Sequence, residues 1–258
     1  MKKIYLLVYF FLFTALRADI FEISSIEDLL SYVEKKENIL FVFDIDNTIL
    51  EPENRDFGSD QWVDGFCKQE VQNGLTINQA YKKILPIYFK IVKGLKYVPI
   101  EKDKTLDILN HIKSLNIESL ALTARSEPLI DCTYRHLKSN EVLPTLFDLA
   151  EDKVILFDKN TNSRALYFKG TIHCAGNSKG ECLKKFIKLF KDKKTELKNI
   201  KKIIMIDDKE KNLQDVEDSL KDSNIEFIGL RYSYLDEKVK SFVFKGEKHI
   251  PTKTQECC

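Results

Sequence analysis

Two carboxylates stand two residues apart in Asp44-Ile45-Asp46-Asn47-Thr48. At a strand-to-loop transition such spacing suits a division of labour, in which one acid attacks and the other moves protons. Asp44 takes the first role and Asp46 the second, as acid and then base. A carboxylate is a weak nucleophile, so it needs a cation to neutralise the phosphoryl oxygens it approaches. Asp207-Asp208 supplies oxygen ligands for a hard divalent ion, and Mg²⁺ suits a sparse site of a few carboxylates completed by water and substrate oxygens. Asp44 and Asp207 are its main ligands on this reading, Asp46 adds a backbone carbonyl, and Asp208 is a second acid. Thr123 in Leu122-Thr123-Ala124-Arg125 offers a hydroxyl and the following N–H groups to a phosphate oxygen. Lys179, in Gly176-Asn177-Ser178-Lys179-Gly180, offers an ammonium within reach of nucleophile and transferring group together. Each residue has a plainer alternative: a turn-capping pair at Asp44 and Asp46, a helix cap at Asp208, and a solvated side chain at Lys179.

The elements that must position these groups are legible as apolar runs. Asn38 to Phe43, Ile117 to Leu122 and Lys202 to Ile206 each read as a strand buried on both faces that ends at polar residues. Helical spacing over Asp103–Leu115 and Gly180–Phe190 lies between them. The alternation predicts an open parallel α/β sheet, with ligands outside the carboxyl ends of the strands, where the polar clusters meet. From Glu51 to Pro99, Trp62, Phe66, Ile77, Ala80, Tyr81, Ile84, Leu85, Phe89 and Ile91 follow mostly helical spacing broken by Pro86, which predicts a helical cap. Its aromatics, Trp62, Phe66, Tyr81 and Tyr88 among them, read as a small core of the cap's own or as a substrate surface. Residues 126–177 mix a helical start with short apolar pieces at 154–157 and 165–168, compatible with a β-hairpin. The lysine-rich run from Lys184 to Lys202 reads as the wet face of a helix and its exit loop.

In this order, Asp-x-Asp-x-Thr, a strand ending in Thr, a lysine opening a helix and an apolar strand ending in Asp-Asp, the chain resembles the haloacid dehalogenase (HAD) superfamily, and also an uncharacterised bacterial branch of HAD-like proteins. The resemblance covers about residues 38–232. It implies a Rossmann-like parallel sheet flanked by helices, with a helical cap inserted after the first strand. It assigns residues 19–50 and 100–258 to the core and 51–99 to the cap. It further implies that Asp44 is an aspartyl-phosphate nucleophile, Asp46 the general acid and base, Thr123 and Lys179 the phosphate and charge stabilisers, and Asp44, Asp46, Asp207 and Asp208 the Mg²⁺ site. An acid at position 46 points to phosphotransfer rather than dehalogenation. The expected activity is Mg²⁺-dependent hydrolysis of a phosphorylated small molecule; the alternative is a binding or effector protein that keeps the scaffold without the catalysis. Asn47, where glycine or another acid is common, and Ala124-Arg125, where glycine-arginine is frequent, depart from the pattern.

Length and composition bound these readings. The 258 residues, 43% hydrophobic and 31% charged, fit one core with a sizeable insertion and exclude collagen, low-complexity disorder and a multi-span membrane protein. Forty-one Lys and Arg against 40 Asp and Glu leave no basic field of the kind that gathers nucleic acid. Lys2-Lys3, an apolar run from Ile4 to Leu16 and Arg17-Ala18 predict a secretory signal over residues 1–18 and export to the periplasm or beyond, an uncleaved anchor being the minor alternative. The run is too short for a stable membrane span. Cys67, Cys132, Cys174, Cys182, Cys257 and Cys258 match neither a zinc cluster nor a Cys-x-x-Cys pair.

Overall fold

A computed structural model describes residues 19–33, 38–158 and 164–246. The chain runs through β1 (Asp19–Ile23), β2 (Ile39–Phe43), β3 (Leu50–Pro52), α1 (Asp60–Gln72), α2 (Ile77–Gly94), β4 (Tyr97–Pro99), α3 (Asp103–Ser114), β5 (Glu118–Thr123) and α4 (Ile130–Ser139). It continues through β6 (Val154–Phe157), β7 (Ala165–Phe168), β8 (Thr171–His173), α5 (Lys179–Phe190), α6 (Thr195–Lys198), β9 (Lys202–Asp207), α7 (Glu210–Leu220), β10 (Glu226–Tyr232) and α8 (Asp236–Lys240). Eight strands form one sheet in the order β1-β10-β9-β2-β5-β8-β7-β6. The first six in that order pair in parallel; β7 and β6 complete the edge antiparallel. This is the expected Rossmann-like α/β architecture.

The apolar runs form the central strands because both faces of the sheet are covered. Along β2, Leu40 and Val42 enter one core layer, while Ile39, Phe41 and Phe43 enter the other. From β2 the chain moves to β5 and β8 on one side, then returns to β9 on the other. The carboxyl end of β2 is therefore a topological switch point, where a crevice opens naturally.

The sheet extends beyond the three expected strands. β1 and β10 form an edge that lacks a continuous apolar run; β10 alternates buried and half-buried positions, so its signal is weaker. Buried Glu101 ties this edge down, accepting from Tyr232 Oη at 2.6 Å, from Ser25 Oγ at 3.0 Å and from the Ile26 N–H. The pieces at 154–157 and 165–168 do pair as a hairpin, to which β8 adds a third strand.

The helical insertion leaves the core on a two-stranded antiparallel stem, β3 with β4. Contrary to the expected break, α2 runs unbroken through Pro86. The proline removes one backbone hydrogen bond, a loss of about 3 kcal/mol in an isolated helix, but Thr76 and Gln79 close a capping box and Ala80, Ile84 and Ile91 are buried. Trp62 and Phe66 pack inward with these residues and Phe57, so they form the insertion's own core. Among the described residues no helix is long and apolar enough to cross a membrane. The signal expected over residues 1–18, and Cys257 and Cys258, lie outside the described residues. Cys67, Cys132, Cys174 and Cys182 are free and buried.

Candidate active site

The loop after β2 is a tight turn. The backbone N–H of Asp44 continues the pairing to Ile206 O at 3.0 Å, and the N–H groups of Ile49 and Leu50 return to Ile45 O at 3.1 and 2.9 Å. Asn47 occupies the left-handed region, φ 61°, which Asn tolerates better than other residues with a side chain. That accounts for Asn where glycine is common. Thr48, fully buried, accepts from the N–H of Asp208 at 3.1 Å and ties the turn to the end of β9.

Lys179 is brought in by the seating of α5 on α7. A Cβ on Gly180 would collide with the Asp215 carbonyl and the Ser219 side chain, so only glycine permits this approach. Asp215 then receives the Gly180 N–H at 3.1 Å and the Ser178 hydroxyl at 2.8 Å, while Ser178 caps α5 by accepting from the Glu181 N–H at 3.0 Å. The lysine ammonium ends 2.8 Å from Asp44 Oδ1 and 2.7 Å from Asp207 Oδ2. All three residues are buried, Asp207 completely.

Asp44, Asp207 and Asp208 each place a carboxylate oxygen within 4.8 Å of the others. Asp207 is hydrogen-bonded throughout: besides Lys179, it accepts from the Lys209 N–H at 2.9 Å and from Asn212 Nδ2 at 2.8 Å. Asp208 is not; its buried Oδ1 has no partner. Nor does it cap α7, whose N-cap is Lys209. Burial pushes Asp44 up to about 7, with Lys179 opposing the shift and Asp207 and Asp46 adding to it. Burial likewise raises Asp208 to about 8, and the negative charge of Asp44 adds to the rise. Burial works against the charge on Lys179, but Asp207 and Asp44 outweigh it and raise its pKa. One buried ammonium is thus shared by two acids, with a third beside them.

Asp46 is not in that trio. Its two oxygens accept from Arg125 Nη2 at 2.7 Å and Nε at 2.8 Å. Arg125 also donates to Thr133 Oγ1 at 3.1 Å and lies 4.8 Å from the Tyr97 ring centroid. His136 stacks on that ring and has its Nδ1 3.3 Å from Arg125 Nη1. Burial, then Arg125 and Arg135, lower His136 to about 3, so it stays neutral there. Thr123 stands at the same end of the sheet, its hydroxyl accepting from the Arg125 N–H at 3.2 Å. A further bridge joins the insertion to the core: Lys209, beside Asp208, pairs with Asp60 at the start of α1.

The expected site residues therefore lie together at the carboxyl end of the sheet, in two groups: Asp44, Lys179, Asp207 and Asp208, and Asp46 with Thr123 on either side of Arg125. Sequence reasoning missed the roles of Arg125, Thr48, Asn212 and Lys209. Arg125 and Thr48 lie inside the motifs that carry Thr123 and Asp44; Asn212, a helical turn beyond Asp207, carries no signal of its own. The carboxylates fit a divalent ion. Their donors are hard oxygens, their mutual repulsion leaves negative charge short of compensation, and the orphaned Asp208 Oδ1 lacks the partner that a buried oxygen normally has.

The family model described as "Protein of unknown function (DUF2608)" matches residues 22–253, and the chain belongs to that family. Searches of the curated proteins and of the solved structures returned no match.

Proposed function

We propose that this member of the DUF2608 family is a Mg²⁺-dependent phosphomonoester hydrolase of the HAD type. The observation that carries the reading is the buried Lys179 ammonium shared by Asp44 and Asp207, beside the partnerless oxygen of Asp208. A structural ion pair needs one acid per base. A site that must receive a cation and a phosphoryl group keeps more.

Asp44 is the nucleophile. Its oxygen bonds to phosphorus as the ester P–O bond breaks, and the departing alkoxide takes a proton from Asp46. In the second half Asp46 removes a proton from water, which attacks the phospho-aspartate and releases inorganic phosphate with Asp44 restored. Lys179 holds Asp44 in place and offers charge to the transferring oxygens. Thr123 supplies a hydroxyl at the mouth of the same sheet end. Arg125 orients Asp46 and makes no contact with the acid trio. Asp44, Asp207, Asp208 and the backbone carbonyl of Asp46 would hold Mg²⁺, which when bound supplies neutralisation of the acids and of the phosphoryl oxygens.

The test is phosphate release from phenyl phosphate by purified protein with Mg²⁺. Wild type should turn over, and Asp44→Asn should lose at least about a thousandfold in kcat while its circular dichroism is unchanged. Undiminished release by that variant removes Asp44 as nucleophile.

A further inference from the structure

A cavity of about 460 Å³ opens between α2 and the loops that follow β5 and β8. Its floor is made by Ala124, which separates Thr123 from Arg125, and by Ala175 and Gly176, which lead to Lys179. The floor is thus continuous along the chain with both loops that would contact a phosphate. Its other wall is one stripe of α2: Lys82, Leu85, Pro86 and Phe89.

One feature of these walls lies outside the insertion's own core. The insertion's core uses Ala80, Ile84 and Ile91, so Leu85 and Pro86 form a second apolar stripe, and Leu85 remains 39% exposed. Ala175 (φ 49°) and Gly176 (φ 79°) are the centre of a tight turn closed by the Asn177 N–H on Cys174 O at 2.9 Å, and alanine and glycine there leave the floor free of bulk.

We infer that the cavity receives the leaving group of the substrate, and that this group carries a planar ring: the substrate is an aryl or nucleoside monophosphate rather than a sugar or glycerol phosphate. The inference rests on the hydrolase reading above. The size lies within the usual range for small-molecule sites, roughly 300–1,000 Å³. Leu85, Pro86 and Phe89 face Ala124, Pro128 and Ala175 across the cavity, two mainly apolar sides that suit a flat apolar group between them. A polyhydroxyl chain would leave many of its hydroxyls unmet there. The polar side chains of the lining are Lys82, Ser126, Glu127 and Arg164. Arg164 pairs with Asp158 at 3.3 Å and Glu127 at 3.6 Å, and its buried Nε has no partner.

Two measurements on the full chain with Mg²⁺ test this. With esters, kcat/KM for phenyl phosphate or a nucleoside 5′-monophosphate should exceed that for glycerol phosphate by about 10–100-fold, the two ring substrates showing which source of ring is preferred. Leu85→Asp, at an exposed position, should erase most of that ratio by lowering the ring substrates alone. With non-hydrolysable probes, phenylphosphonate should bind more tightly than methylphosphonate by calorimetry, and Leu85→Asp should remove the difference. If esters are hydrolysed but leaving groups and phosphonates are treated alike, the ring site is wrong and the hydrolase stands. If nothing is hydrolysed yet phenylphosphonate is preferred in a Leu85-dependent way, the ring site stands and the hydrolase reading falls. Absence of both effects overturns both.

Discussion

Arg125 grips both carboxylate oxygens of Asp46, with hydrogen bonds of 2.7 and 2.8 Å. The guanidinium is fixed in turn by Thr133 and by the Tyr97 ring, so the orientation of Asp46 is set by residues on α4 and β4 rather than by its own loop. A planar fork can hold a carboxylate in this way and an ammonium cannot.

Arg125→Lys should therefore keep the charge and lose the orientation. We expect kcat to fall about 10–100-fold, in line with loss of well-placed proton transfer, with KM nearly unchanged and the pH–rate profile altered. Steady-state kinetics on phenyl phosphate across pH 5–9 would check it; wild-type kcat in the variant would show that Asp46 needs no clamp.

Lys179→Met removes the ammonium shared by the buried acids Asp44 and Asp207. Breaking such a cluster costs about 3–5 kcal/mol. The loss should be largest in metal-free protein near pH 8 and smaller near pH 5, where Asp44 takes up a proton. Urea midpoints at both pH values measure it, and equal losses at both would count against charge as the cause.

Asp208 makes the metal-free protein sensitive to alkali. Its folded pKa of about 8 lies above its unfolded value of 3.8, so its contribution is intact below the latter and is lost as pH rises towards the former. Asp208→Asn should thus raise the melting temperature of chelator-treated protein more at pH 8 than at pH 5, by about 2–4 °C for each kcal/mol recovered. Mg²⁺ should stabilise wild type strongly and the variant weakly.

Gly180→Ala forces α5 away from α7. Overpacking of this sort costs about 1–3 kcal/mol. Ser219→Ala should restore only part of the stability, because the Asp215 carbonyl still obstructs the new methyl. Activity should drop further than stability, since the displacement carries Lys179 with it; full activity in a folded Gly180→Ala protein would separate the two helices' contact from the site.

The central strands could be read because a strand covered on both faces is apolar without interruption, as in Ile39–Phe43. β1 was not legible, since Asp19-Ile-Phe-Glu-Ile is short and mixed and owes its place to pairing with β10 and to Glu101, distant in sequence. α2 departs from the expected break at Pro86 because tertiary packing overrides the local penalty. At the site, acids two apart or adjacent at strand ends announced themselves, whereas the grip of Arg125 on Asp46 joins residues 79 apart and depends on how β5 lies beside β2. Asn212 was silent for the same reason.

The bridge between Asp60 and Lys209 gives the helical insertion an electrical consequence. With α1 docked, the Lys209 charge is divided between Asp60 and the neighbouring Asp208 and Asp44, which keeps those acids only partly compensated. Were α1 to swing outward, the freed ammonium would turn to those acids as a resident substitute. Posture of the insertion and appetite for metal would then rise and fall together, and loading the site would itself favour the shut form.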